Sequence, residues 1–295
     1  MKNIKNTILG VLLLGCSTLF AQQEGVVTNY MYHMNAFNPA YVGVDGRTAI
    51  TSTFRQQWTG IEDAPSSQLV SFGTTLGKNL GLGVSILNSR TFVEKQTFTA
   101  IDFSYRIKVS EKADLYMGLK AGGNFYSVNT AGLRTYNQMA DPNITSISNF
   151  NPNIGIGALL KLDKWHFSLA APRLLSTDRA DNEDGMVTVA KARPHMYAVA
   201  GYDLLLNRSN NTFLKPSALL RYVNGAPVSL DINTMLSFDG NFEIGATYRT
   251  DAAFAGLINF SIKKRLLLGY AYEVSTRKQL ADMGNTNEIL LRFLF

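Results

Sequence analysis

Hydrophobic and polar residues alternate with a period of two over most of this chain, as β-strands with one apolar and one polar face require. In the clearest run Ile101, Phe103, Tyr105 and Ile107 share one face while Asp102, Ser104, Arg106 and Lys108 share the other. The same contrast sets Leu115, Met117, Leu119 and Ala121 against Tyr116, Gly118, Lys120, Gly122 and Asn124. Phe242, Ile244, Ala246 and Tyr248 stand against Glu243, Gly245, Thr247 and Arg249, and Leu266, Leu268, Tyr270, Tyr272 and Val274 against Gly269, Ala271, Glu273 and Ser275. The last eleven residues continue the pattern, with Ile289, Leu291, Phe293 and Phe295 on one face and Glu288, Leu290 and Arg292 on the other. A strand that closes on an aromatic in this way is the expected assembly strand of an outer-membrane barrel.

Fourteen such segments are expected, near 46–58, 66–76, 80–91, 96–109, 113–128, 152–162, 164–172, 195–207, 212–223, 227–238, 241–250, 253–262, 265–275 and 285–295. Sandwich strands are usually about five or six residues long, whereas about ten tilted residues cross a bilayer. The length, and the small and charged residues on the second face, therefore predict an all-β transmembrane antiparallel barrel with a polar lumen. Bacterial barrels have short periplasmic turns and longer outer loops. The even-numbered connections here are short, and the two longest, about 129–151 and 173–194, are odd-numbered, on the side the barrel reading assigns to the exterior. Phe72, Tyr105, Phe125, Tyr222, Tyr248 and Tyr272 are expected in the interfacial girdles. Arginine at outward Leu268 should harm assembly more than serine at inward Gly269.

The amino terminus changes the domain picture. Lys2 and Lys5 precede an apolar stretch from Ile8 to Leu14 and small residues up to Ala21, which predicts a secretory signal peptide over 1–21, a periplasmic N-terminal segment over 22–45 and a barrel over 46–295. A lipoprotein alternative would use Cys16, the only cysteine; cleavage after Ala21 leaves none, which excludes disulfides and thiolate metal sites. Removing Lys2 and Lys5 lowers the formal charge from +6 to +4, too mild to indicate a nucleic-acid partner. With 17% charged residues, 13 Tyr and 17 Phe, and no later run of eighteen apolar residues, transmembrane helices are excluded and outer-membrane lipid is the expected surroundings.

Candidate chemistry is sparse. Inward cations (Arg55, Arg106, Lys108, Lys120, Lys215, Arg221, Arg249, Arg292) and acids (Asp102, Asp231, Glu243, Glu273, Glu288) suggest either a selectivity filter or a ladder of paired charges in a narrow lumen. His33, His166 and His195 lie on separate segments, and no G-x-S-x-G or HExxH occurs. No enzyme, metal or cofactor is expected.

Beyond the strand pattern, the chain contains Asn38-Pro39-Ala40-Tyr41-Val42-Gly43, then Arg55-Gln56-Gln57-Trp58-Thr59-Gly60 with Ala64-Pro65 downstream, Asn151 to Gly157 (NPNIGIG), Gly269-Tyr270-Ala271-Tyr272-Glu273 and the ending Asn287 to Phe295. In these it resembles the PorP/SprF family of Bacteroidetes outer-membrane proteins of the type IX secretion and gliding machinery, over essentially the whole mature chain. It departs at Glu62-Asp63-Ala64-Pro65, where members often have Gly-Ala-Pro, and at Asn287, where histidine is common. The resemblance implies a non-enzymatic barrel that helps export or anchor a secreted surface protein or adhesin and contacts other components of the machinery. Residues 38–43 could plug the lumen, dock a periplasmic partner, or simply cap the barrel end; Arg55, Gln57 and Trp58 could gate an opening, or pair with lumen carboxylates and anchor at the interface. An outer-membrane pore or small-molecule transporter is the alternative function.

Overall fold

The computed structural model describes residues 27–129, 147–175, 177–178, 191–277 and 284–295. Within them the chain forms a closed antiparallel barrel of fourteen strands. These are β1 (Ala49–Gln56), β2 (Ser66–Leu76), β3 (Leu80–Thr91), β4 (Glu94–Ser110), β5 (Ala113–Val128), β6 (Ile147–Leu162), β7 (Trp165–Arg173), β8 (His195–Tyr202, resuming at Leu204–Asn207), β9 (Thr212–Val223), β10 (Ser229–Phe238), β11 (Phe242–Arg249), β12 (Ala253–Ile262), β13 (Leu266–Ser275) and β14 (Thr286–Leu294). Each strand pairs with its sequence neighbours, and β1 closes the cylinder against β14 from Ala49 opposite Leu294 to Gln56 opposite Asn287. Closure removes the free edges that a flat sheet of this width would present.

The alternation read along the chain becomes the two faces of the wall. On β4 and β5, Ile101, Phe103, Met117 and Leu119 are exposed while Asp102, Ser104, Tyr116 and Lys120 are buried inside. The outward members of β14 and Phe295 just beyond it are likewise exposed, from 42% at Phe293 to 66% at Phe295. The exterior is thus apolar and the interior polar, the inverse of a water-soluble sheet. Six connections of two to four residues lie at one end of the cylinder and the long ones at the other, which makes the short-turn end periplasmic. Asp239 and Gly240, both with positive φ (51° and 65°), make the turn between β10 and β11 with the backbone sense that matches strand twist.

Several boundaries differ from the sequence expectation. β6 begins at Ile147 rather than 152, because it pairs with β5 out to Val128. β8 breaks at Asp203 and continues only against β9. Lys108 stands exposed at the periplasmic end of β4 rather than inside the lumen. Phe72 lies half-buried opposite Ile50 and Val84, well inside β2 rather than at its end. Residues 1–26, with the expected signal peptide and Cys16, and most of both long outer connections lie outside the described residues.

Candidate functional site

The lumen is occupied by the chain's own residues 27–44. They form two short 3-10 turns, Tyr30–Tyr32 and Pro39–Tyr41, around one helical turn, Met34–Phe37, and they run from the outer half of the barrel down to its periplasmic rim. Tyr30, His33, Asn38, Ala40 and Val42 are almost wholly buried. Lumen-facing positions that break the polar pattern receive this segment: Val27, Tyr30 and Met34 pack with Leu69, Tyr197, Val199 and Leu219, while Met31 packs against Met235, Leu257 and Ala271.

Its lower part rests on a bed of glycines. Asn38 donates from Nδ2 to the carbonyls of Ala158 (3.2 Å) and Leu169 (3.4 Å), and its Oδ1 accepts from the Ala40 amide (2.9 Å), the capping bond of a short turn whose first residue, Pro39, gives up no needed donor. A Cβ at Gly118 would overlap the Ala40 backbone, one at Gly157 the Asn38 side chain, and one at Gly81 the Val42 carbonyl. Ser104 Oγ donates to that carbonyl at 2.5 Å, and Thr75 Oγ1 to the Gly43 carbonyl at 3.1 Å. Gly43 holds φ +76°, a conformation that favours glycine, where the segment turns toward β1.

Midway, His33 is fully buried, with Nδ1 3.0 Å from Ser71 Oγ and Nε2 2.7 Å from Thr53 Oγ1. Burial, and secondarily the charge of Arg292, pushes its pKa down to about 3, so the ring is neutral. Lys120, ion-paired with Asp102 at 2.5 Å, also donates to the Asn35 carbonyl at 3.2 Å.

Higher up, a charged latch binds the segment to the closure seam. The amides of Thr28 and Asn29 donate to the two oxygens of Glu288 at 2.7 and 2.8 Å, and Thr28 Oγ1 to Glu273 at 3.0 Å. Arg55 joins both carboxylates, 2.7 Å from Glu273 and 3.4 Å from Glu288. Because Arg55 on β1 faces Glu288 on β14 in the closing ladder, segment and seam share one cluster. Arg249 and Arg221 extend it to Asp231 at 3.0 and 3.1 Å. Buried charges held by two or more partners each are costly to unpair, and the inward charges here form paired ladders.

Two cavities flank the segment. The periplasmic one, about 350 Å³, is lined by Tyr32, Tyr41, Arg47, Lys161, Lys215 and Glu243 among others; Tyr32 donates to Glu243, which also pairs with Lys215 at 3.2 Å. The outer one, about 30 Å³, is apolar, with Val27, Phe37, Leu69, Phe98 and Tyr197, and Arg173 lies 4.2 Å over the Phe98 ring.

The sequence-selected residues divide between these regions. Asn38, Pro39, Ala40 and Gly43 lie in the luminal segment, and Asn38 meets Gly157 of the NPNIGIG stretch. Arg55 meets Glu273 of the GYAYE stretch and Glu288 of the ending. Gln57 enters through its amide, which donates to the Pro65 carbonyl at 2.9 Å, and Trp58 adopts φ +47° in the outer connection. There Asn287 Nδ2 donates to Thr59 Oγ1 at 2.8 Å, and the Thr59 amide to the Asn285 carbonyl at 2.9 Å. Gly60 (φ +101°) and Ala64 belong to the same connection; Ile289, Leu291, Phe293 and Phe295 face outward, away from all of these. Thr28 and Asn29 were not singled out by sequence and His33 was named only as one of three scattered histidines; the one available sign was glycine recurring at inward positions of β3, β5 and β6. Ser71 and His33 are within hydrogen-bond reach, but the second ring nitrogen meets Thr53 rather than a carboxylate and the ring is sealed from solvent, an arrangement unlike a catalytic triad. Among the described residues no group of three or more His, Cys, Asp or Glu could hold a metal.

A closed, apolar-skinned cylinder with short turns at one end defines an outer-membrane β-barrel. The family described as the type IX secretion system membrane protein PorP/SprF matches residues 19–293, and the chain belongs to that family. No curated protein matches significantly. Among solved structures it is similar to the Acinetobacter baumannii outer membrane protein Omp33, with TM-score 0.51 and 9% identity over 84% of this chain and 98% of that one. It is also similar to the CymD monoaromatic hydrocarbon channel, with TM-score 0.52 and 10% identity over 91% and 92%. At such identities the likeness is one of fold.

Proposed function

We propose that this protein is a non-conducting, non-enzymatic barrel of type IX secretion that assists the export or surface anchoring of a particular secreted protein or adhesin. Membership of the PorP/SprF family supports the secretion role. The observation that carries the non-conducting part is the lumen filled by residues 27–44 and fixed at both ends, by the glycine bed below and the Glu288 latch above. Solute flow would require this segment to leave a site where it buries Tyr30, His33 and Ala40. The outer connections, including those near 129–151 and 173–194, are then the surface available to a client. The short turns, together with the lower end of the luminal segment where it emerges at Gly43 to Asp45, are the parts available to periplasmic components of the machinery.

Two measurements test this. The purified full chain in a planar bilayer should be electrically silent and should co-purify from native membranes with a surface protein whose retention falls when residues 179–190 are deleted. Stable, solute-selective conductance of the unaltered protein would favour the transporter reading instead.

A further inference from the structure

We propose that the periplasmic rim of this barrel is a binding surface for the headgroups of anionic phospholipids. The six periplasmic turns, residues 77–79, 111–112, 163–164, 208–211, 239–241 and 263–265, carry seven cations and three acids. One of those acids, Asp239, is already bound to Lys264 at 3.2 Å. The four outer connections described throughout, 57–65, 92–93, 224–228 and 250–252, contain no lysine or arginine and three acids, Glu62, Asp63 and Asp251. These six turns thus carry a net charge of +4 against −3 on those four outer connections, while the remaining outer connections add Lys191, Arg193 and Arg277 among the described residues.

Placement favours lipid over an acidic protein. A docking patch would gather its cations on one side, whereas these are spread around the cylinder at five of the six turns. At each of those five turns one cation also stands beside an exposed apolar side chain: Lys78 between Leu76 and Leu80, Lys112 near Val109, Lys164 next to Trp165, Arg208 two residues from Leu206, and Lys263 next to Ile262. An apolar group at the edge of the hydrocarbon with a cation just beyond it is the interfacial arrangement that meets a phosphate headgroup. The turn between β12 and β13 adds a second, independent sign. Lys263 and Lys264 both hold φ 53°, where Asn-Gly is the favoured pair, so lysine occupies this turn against backbone preference.

The test uses the full chain, reconstituted in nanodiscs of equimolar phosphatidylglycerol and phosphatidylcholine, re-extracted, and examined for retained lipid by native mass spectrometry. Phosphatidylglycerol should be retained at least about five-fold over phosphatidylcholine, the factor one cation near an anionic surface supplies, and the preference should shrink at high salt. The Lys263→Asn, Lys264→Gly double variant should lose much of that preference while folding at least as well, because it installs the better turn. Lys78→Gln with Lys112→Gln gives the same reading at other turns should the first variant misassemble. Equal retention of the two lipids, or a preference unchanged in both variants, overturns the proposal and would turn the rim into a candidate docking face for an acidic periplasmic protein.

Discussion

Glu288 is the residue on which most of the interior converges. It is 1% exposed, accepts two backbone amides from the luminal segment and pairs with Arg55 across the closing strands. Removing one partner of a buried ion cluster leaves the others uncompensated, which costs about 3–5 kcal/mol. Glu288→Ala is expected to destabilise the folded barrel by that amount in urea titrations in micelles. Glu288→Gln should cost less, since its amide oxygen still accepts an N–H. His33 makes a different prediction. Its folded pKa of about 3 lies below the ordinary value of about 6.5, so the unfolded state takes up the proton first as pH falls. Stability contributed by the neutral ring is complete above pH 6.5 and is lost between there and pH 3, by about 2 kcal/mol at pH 5. The drop over that range should be smaller in His33→Gln, measured as unfolding midpoints at matched pH values.

At the scale of the element, the strands behave as two-faced objects whose faces tolerate different changes. Arginine at outward-facing Leu268 should cost about 2–4 kcal/mol. Gly269, the inward neighbour expected from sequence to accept serine, is crowded: a new Cβ would overlap Asn259 Oδ1 and meet Leu290 at 3.0 Å, so those side chains must shift to admit it. The proper inward control is Gly73→Ser, where nothing lies within 4 Å and the effect should stay within about 0.5 kcal/mol. Heat-modifiable gel mobility after refolding distinguishes the two, and equal refolding of Leu268→Arg and Gly73→Ser would count against the facing assigned to β13. Gly118→Val tests the bed of the luminal segment. The added side chain displaces Pro39 and Ala40, so bilayer recordings should show conductance steps absent from the unaltered protein, with the barrel itself still assembled.

For the whole molecule, strand number, the direction each strand faces and the end on which the long connections fall are legible in the sequence alone. All three follow from a local rule: successive side chains of a strand point to opposite sides, and lipid and lumen reward opposite chemistry. The Arg55, Glu273 and Glu288 charges were also recognisable as inward-facing, because parity along each strand sets the face. Their partners were not. Which inward residues meet across a closed lumen depends on strand stagger and tilt, and neither leaves a local trace in the chain. The same holds for the segment from Val27 to Val44. Its sequence is short, polar and aromatic by turns and reads equally as a cap, a dock or a plug. Its place was decided only in three dimensions, where glycines from β3, β5 and β6, far apart along the chain, clear one continuous path against the wall. Local periodicity therefore determined the cylinder; long-range packing alone determined what fills it.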